Sequence, residues 1–414
     1  MEFKEMFPQR TRWFCAASVG AVSLLAAFAP PRPLKAASAD TYLPWEGGAA
    51  YYRKWSNGPS ADSGYFPIAV WLQSPDNAAE YKSIGVNLFV GLWRGPTEAQ
   101  LKTLAAAGMP VLAGRTRNAA SIPGMEIIRG WSLMDAPDNA QDKPGGGYGP
   151  CILPPAIVDQ YRALTAADPT RPVFLNLGQG VINEKWNGRG EVCGKHDEHY
   201  AQYIGGADIV SYDVYPVNSK LPLWYVGAGV ERLRKWANYG KPIWNWIETT
   251  AIRQGPTPTP AEIKAEVWMS IVHGTRGIGY FCHSFSPVEV EAGPLRDPET
   301  RRGLAAINQQ VASLAHVLNE RSVANGVTVS SANAESPVDT LLKRYGGATY
   351  LFAVGSRPGG ETTASFTLRD CGNLSVEVLG ESRTIPARGG VFRDSFANYH
   401  VHLYKIPFDP STAR

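Results

Sequence analysis

The chain has 414 residues, 44% of them apolar, enough to bury one large core and a smaller second one, which excludes a disordered or fibrous protein. Its formal charge of +3 arises in the first 39 residues, which hold five basic and two acidic side chains and leave 35 of each sign in the rest. A neutral body without basic runs gives no electrostatic reason to expect nucleic acid or an anionic membrane as partner; an oligo- or polysaccharide suits it better.

Residues 1–39 read as an export signal. Lys4, Arg10 and Arg12 precede an apolar stretch from Phe14 to Ala29, and Ala37-Ser38-Ala39 offers small residues for cleavage, so a mature chain would begin at Asp40. The stretch is shorter than the ~20 residues a bilayer span needs. The expected destination is the periplasm or the exterior, with no membrane attachment after cleavage. Four cysteines follow, Cys151, Cys193, Cys282 and Cys371, with no Cys-x-x-Cys metal spacing. Export permits disulfides, and Cys151 with Cys193 is a candidate pair in the loops after the fourth and fifth strands.

From Tyr65 to Glu320 short apolar runs alternate with amphipathic ones, the order that favours a parallel sheet with crossover helices. The strands are expected at Phe66 to Leu72, Val86 to Trp93, Pro110 to Gly114, Ile128 to Met134, Pro172 to Leu177, Asp208 to Tyr215, Pro242 to Ile247 and Gly277 to Cys282. Helices are expected at Asp76 to Ile84, Pro96 to Ala107, Pro154 to Ala167, His196 to Ile204, Trp224 to Tyr239, Pro260 to His273 and Glu299 to Asn319. The third crossover, Asn118 to Gly124, is too short for a full helix. Gly85, Gly108 and Gly240 each precede a strand, as helix C-caps at the bottom of a barrel do. The fold class is therefore α/β: a (β/α)8 barrel over residues 40–320, about 256 residues of it in the repeating region, a length usual for this fold.

Beyond Glu320 the runs become short and alternating, at Thr340 to Lys343, Ala348 to Val354, Thr363 to Leu368, Leu374 to Leu379 and Tyr399 to Lys405. Residues 321–414 are expected to form a small all-β sandwich, an accessory domain packed on the barrel.

Barrel enzymes build their sites where strands end, so residues at those positions carry weight. Here they are Trp71 and Gln73, Trp93 and Arg94, Arg115, Asp135 and Asp138, Asn176 and Gln179, Asp213 and Tyr215, Glu248, and His283. Trp71, Trp93 and Trp246 are the tryptophans best placed as flat platforms for sugar rings. The cluster His196, Asp197, His199 lacks metal spacing, and Gly145 to Gly149 opens onto no phosphate-binding helix, so neither metal nor cofactor is expected.

These positions resemble those of the retaining (β/α)8 glycoside hydrolases that carry an acid/base Glu after strand four and a nucleophile Glu after strand seven. The resemblance implies a two-carboxylate mechanism with the carboxyl groups roughly 5 to 5.5 Å apart. It makes Glu248 the nucleophile, Pro137 the proline of an Asn-Glu-Pro motif, Asp135 the residue at its Asn position, and Tyr215 a partner of the nucleophile. By their places at strand ends, Trp71, Trp93, Arg94, Arg115, Asn176, Asp213, Tyr215, Trp246 and His283 are the expected substrate contacts. Ala136 falls where the acid should stand, and a methyl group donates no proton. Either the acid is lost and a glycan-binding protein remains, or Asp135, Asp138, Glu184 or Glu191 replaces it, or the motif is misaligned. On the first reading Ala136→Glu restores about 10² to 10⁴-fold of rate. Glu248 could instead be a structural carboxylate paired with Arg94 or Arg115.

Overall fold

The computed structural model describes residues 39–116, 122–186, 188–189, 197–252 and 255–408. The expected signal up to Ser38, Glu191, His196 and Cys193 lie outside these residues, and with Cys193 the proposed Cys151–Cys193 bridge.

Eight parallel strands close into a barrel in chain order: β1 Ile68–Trp71, β2 Leu88–Val90, β3 Val111–Gly114, β4 Ile128–Ser132, β5 Val173–Leu177, β6 Ile209–Asp213, β7 Ile243–Glu248 and β8 Gly277–Phe281. Pairing of β1 with both β2 and β8 completes the ring. The helices are α1 Ala78–Ser83, α2 Glu98–Ala107, α3 Pro154–Ala167, α4 Asp197–Gly205, α5 Pro216–Ser219, α6 Tyr225–Trp236, α7 Pro260–Val272, α8 Gly293–Arg296, α9 Pro298–Ser313 and α10 Ala315–Leu318. Their starts follow local chemistry. Thr97 with Gln100, and Thr259 with Glu262, form capping boxes that satisfy two otherwise free N–H groups each.

Two expectations change in detail. Gly108 ends α2 at φ 60° and Gly85 follows α1 at φ 86°, as C-cap glycines do, whereas after α6 the left-handed residues are Asn238 and Tyr239 and not Gly240. The long helix expected over residues 299–319 is two, α9 and α10, divided at Leu314.

Strand alternation sorts the side chains. Ala69, Trp71, Leu88, Val90, Leu112, Phe174, Ile209, Trp244 and Trp246 form a core cluster inside the barrel. Its lower end is closed by a 3₁₀ turn, Gly48–Lys54: Trp244 Nε1 donates to the Tyr52 hydroxyl at 3.2 Å, and the Tyr51 hydroxyl donates to the Asp208 carbonyl at 2.9 Å. The upper end, where the strands finish, stays open to a cavity.

The second part is antiparallel. A three-stranded sheet of β10 Val327–Ser331, β13 Thr362–Leu368 and β16 Val391–Phe396 faces a six-stranded one. The larger sheet runs β15 Arg383–Ala387, β14 Leu374–Val378, β17 Val401–Pro407, β12 Ala348–Gly355, β11 Val338–Tyr345 and β9 Ser322–Val323. Phe352 of β12 meets Trp268 of α7 with ring centres 5.2 Å apart, and Leu341, Val354 and Leu403 join the barrel's outer core. Barrel and sandwich thus form one compact unit from residue 37 onward.

Candidate active site

At the upper mouth lies a cavity of about 350 Å³, lined by Trp71, Asp135, Asn139, Tyr148, Asn176, Gln179, Trp186, Arg189, Asp213, Tyr215, Asn218, Ser219, Trp246, Ile252, Gly255, Phe281 and Phe285. Its size and its mixture of aromatic faces with a few polar groups suit a small-molecule or glycan-end site. Two carboxyl groups share its floor.

Asp135 follows β4 and Asp213 ends β6, and both accept hydrogen bonds from one amide nitrogen, Asn176 Nδ2 of the intervening strand β5, each at 2.9 Å. The two N–H bonds of an amide diverge by about 120°, so the accepting oxygens stand roughly 5 Å apart. Burial pushes both carboxyl groups upward, and proximity separates them. Asp213, raised first by desolvation and then by the charge of Asp135, reaches about 8. Asp135 is also raised by burial, but Asn176, Arg189 and the Ala136 N–H favour its ionised form. The two titrate as a coupled pair in which Asp213, raised by burial and by its neighbour's charge, holds the proton more firmly than Asp135.

Glu248 sits otherwise. It is fully buried and outside the cavity lining, with Oε1 accepting from Val217 N at 2.6 Å and Oε2 accepting from Asn218 N at 2.8 Å and Asn218 Nδ2 at 2.5 Å. Behind it lies Glu266 of α7, also fully buried, whose oxygens are reached by no donor among the described residues. Burial first, and then the nearby Glu248 charge, push the Glu266 carboxyl well above the usual carboxylate range. Desolvation still lifts Glu248 to about 7, against those donors. The carboxylate is thus occupied with α5, whose Asn218 and Ser219 form part of the cavity wall.

The other expected residues divide. Trp71, Asn176, Gln179, Asp213, Tyr215 and Trp246 line the cavity with Asp135. Asp138 does not; it is buried, pushed to about 6 by desolvation, and accepts from Gly178 N at 2.8 Å and the Tyr200 hydroxyl at 3.1 Å, so it ties the loop after β4 to the loop after β5. Trp93 is 70% exposed and outside the lining, as are Arg94, Arg115 and His283. The Arg115 guanidinium lies 5.9 Å from the Trp131 ring, and His283 stacks on Phe285 at 5.8 Å. Gln73 is a strut, accepting from the Tyr81 hydroxyl at 2.6 Å and donating to the Glu291 carbonyl at 2.9 Å. Ala136 is buried with φ 42° and is not in the lining.

Asn139, Trp186, Arg189 and Phe285 line the cavity without having been expected there, whereas Tyr148 belongs to the Gly145–Gly149 stretch expected to lie over the site. They lie on long loops or beyond the strand, where neither period-two nor helical spacing marks a side chain's direction. Among the described residues no group of three or more His, Cys, Asp or Glu side chains could hold a metal ion.

No protein-family model and no curated protein matches the sequence. Solved structures match in shape. An AmyP variant in complex with maltotriose aligns over 84% of this chain and 97% of its own, at TM-score 0.50 and 10% identity. The β-L-arabinopyranosidase from Geobacillus stearothermophilus aligns over 86% of this chain and 98% of its own, at TM-score 0.47 and 11% identity. An α-amylase from Geobacillus thermoleovorans, complexed with acarbose, covers 86% and 99% at TM-score 0.45 and 10% identity. At 10% identity the likeness to the AmyP variant speaks for the fold alone.

Proposed function

We propose that the chain is a retaining glycoside hydrolase in which Asp135 is the nucleophile and Asp213 the acid/base. The observation that carries this reading is the shared amide donor: it fixes two cavity carboxyl groups at roughly the 5 to 5.5 Å that a double displacement needs. Their unequal protonation supplies one attacking carboxylate and one proton for the leaving oxygen. The aromatic faces of Trp71, Tyr148, Tyr215 and Phe285 around them suit sugar rings, and the maltotriose-bound barrel of like shape is in keeping with a glycan substrate.

The two-carboxylate layout thus stays, with its members moved from Glu248 and the Ala136 position to Asp135 and Asp213. No acid is missing in this layout. Export through a signal ending at Ala39 belongs to the same proposal, since extracellular or periplasmic glycans would be its substrates.

The test is turnover on a panel of nitrophenyl α- and β-glycosides. Asp135→Asn should abolish it, and added azide should restore release of nitrophenol as a glycosyl azide. Asp213→Asn should cost about 10² to 10⁴-fold on natural glycosides and much less on activated ones. Full activity in both variants removes the assignment.

A further inference from the structure

Asn176 has every side-chain function engaged. Its two N–H bonds go to Asp135 and Asp213, and its Oδ1 accepts from the Ser211 hydroxyl at 2.8 Å. Ser211 Oγ in turn accepts from Trp246 Nε1 at 3.0 Å. Ser211 is fully buried, and Trp246 is buried and wedged edge-on against Trp71 with ring centres 5.0 Å apart. An indole nitrogen only donates, so Ser211 spends its single hydrogen on an acceptor, and Asn176 Oδ1 at 2.8 Å is far nearer than the Leu175 carbonyl at 3.5 Å, which selects one orientation of the amide. The flipped amide would aim its oxygen at two carboxyl groups.

We propose that Asn176, locked by the relay from Trp246 through Ser211, is the positioning residue of the carboxyl pair: it sets their spacing and holds the negative charge as that charge passes from Asp135 to Asp213 and back. The inference rests on the two-aspartate reading above. In the first step an Asp135 oxygen bonds to the anomeric carbon while the glycosidic C–O bond breaks and the Asp213 proton moves to the departing oxygen. One negative charge is present before and after, but it has crossed from Asp135 to Asp213. In the second step water gives its proton to Asp213 and its oxygen to the anomeric carbon, the ester bond breaks, and the charge returns. A donor fixed between the two sites serves both charge states without rearranging, which is preorganisation. The relay leaves Asn176 no hydrogen with which to donate to a substrate.

The test uses the full chain with aspartate isotopically labelled at the side-chain carboxyl carbon, followed by NMR titration, which separates these groups from the buried glutamates. The Asp213 signal, assigned by its loss in Asp213→Asn, is expected to titrate near about 8. In Asn176→Ala its midpoint should rise, because the anion loses a donor, and Ser211→Ala and Trp246→Phe should move it the same way by less. On whichever glycoside the panel identifies, Asn176→Ala should lower kcat about 10² to 10³-fold with KM little changed. If Asn176→Ala does not fold, Ser211→Ala, which removes only the hydroxyl of the relay, carries the measurement. An Asp213 midpoint unmoved in these variants overturns the inference and leaves the two-aspartate reading standing. Full activity of Asp135→Asn and Asp213→Asn removes the reading itself, whatever the titration does.

Discussion

Glu248 is a carboxylate surrounded by donors, and that predicts how it responds to substitution. In Glu248→Gln one amide N–H must face the Val217 or Asn218 donors, leaving a buried group unpaired at a cost of about 1–3 kcal/mol. We expect a measurable loss of stability by thermal unfolding, with only a partial loss of turnover as α5 loosens the cavity wall. Unchanged stability together with abolished turnover would return Glu248 to the nucleophile's role. Ala136 gives the opposite result from the one the sequence suggests: a Glu at this buried, left-handed position should cost about 1–3 kcal/mol and restore no activity. A gain in rate on natural glycosides would contradict this. That Asp213 lines the cavity was legible in the sequence, and that Glu248 stands outside the lining was not, for one reason. Alternation places Ser211 and Asp213 on the inner face of β6, and Trp244, Trp246 and Glu248 on the inner face of β7. Asp213 obeys this rule, whereas the last residue of β7 is claimed by the N–H groups of a four-residue helix that no periodicity announced.

The elements themselves were largely written in local chemistry. The eight strands lie where short apolar runs are bounded by Gly and Pro, and α3 spans its expected residues because Pro154 starts it. Strands β9, β10, β15 and β16 were not anticipated: β9 is only two residues long, and β10, β15 and β16 alternate largely between half-buried and exposed positions, which leaves few apolar side chains to mark them. One contact between elements is pH-sensitive. His273, just after α7, bonds Glu231 of α6 at 2.9 Å and Asp339 of β11 at 3.2 Å, tying barrel to sandwich. Burial alone would lower the imidazole, but the two carboxylates outweigh it and raise it to about 9. The folded value lies above the unfolded ~6.5, so the stabilisation is complete below ~6.5 and is lost as pH rises through about 9. His273→Gln should therefore lower stability by about 1 kcal/mol at mildly acidic pH, after allowance for the half-exposed Glu231. The difference from the unmodified protein should vanish in alkaline solution, and calorimetry that finds it equal at both ends would remove the clamp.

Over the whole molecule, the barrel concentrates acids of raised pKa around its upper mouth: Asp213 at about 8, Glu248 at about 7, Asp138 at about 6, with Asp135 and Glu266 also raised. Each is raised first by burial, so the folded chain binds more protons than the unfolded one between ~4 and these values. By linkage the stability they contribute is complete below ~4 and is lost as pH rises through about 6 to 8, and His273 adds to the loss towards 9. Asp168, Asp339 and Asp394 are shifted down, so their contribution is present above ~4 and disappears only in stronger acid. Lys241 and Lys343 are lowered by burial and act in the opposite sense, with windows that extend up to their unfolded ~10.4. The melting temperature should accordingly be highest near pH ~5 and fall between ~5 and ~8. Asp213→Asn, which cannot titrate, should flatten the upper part of that fall. A melting temperature that rises over this range, or one whose slope is untouched by Asp213→Asn, would mean that Asp213 is already ionised in the folded protein, and with it the acid of the proposed double displacement would be gone.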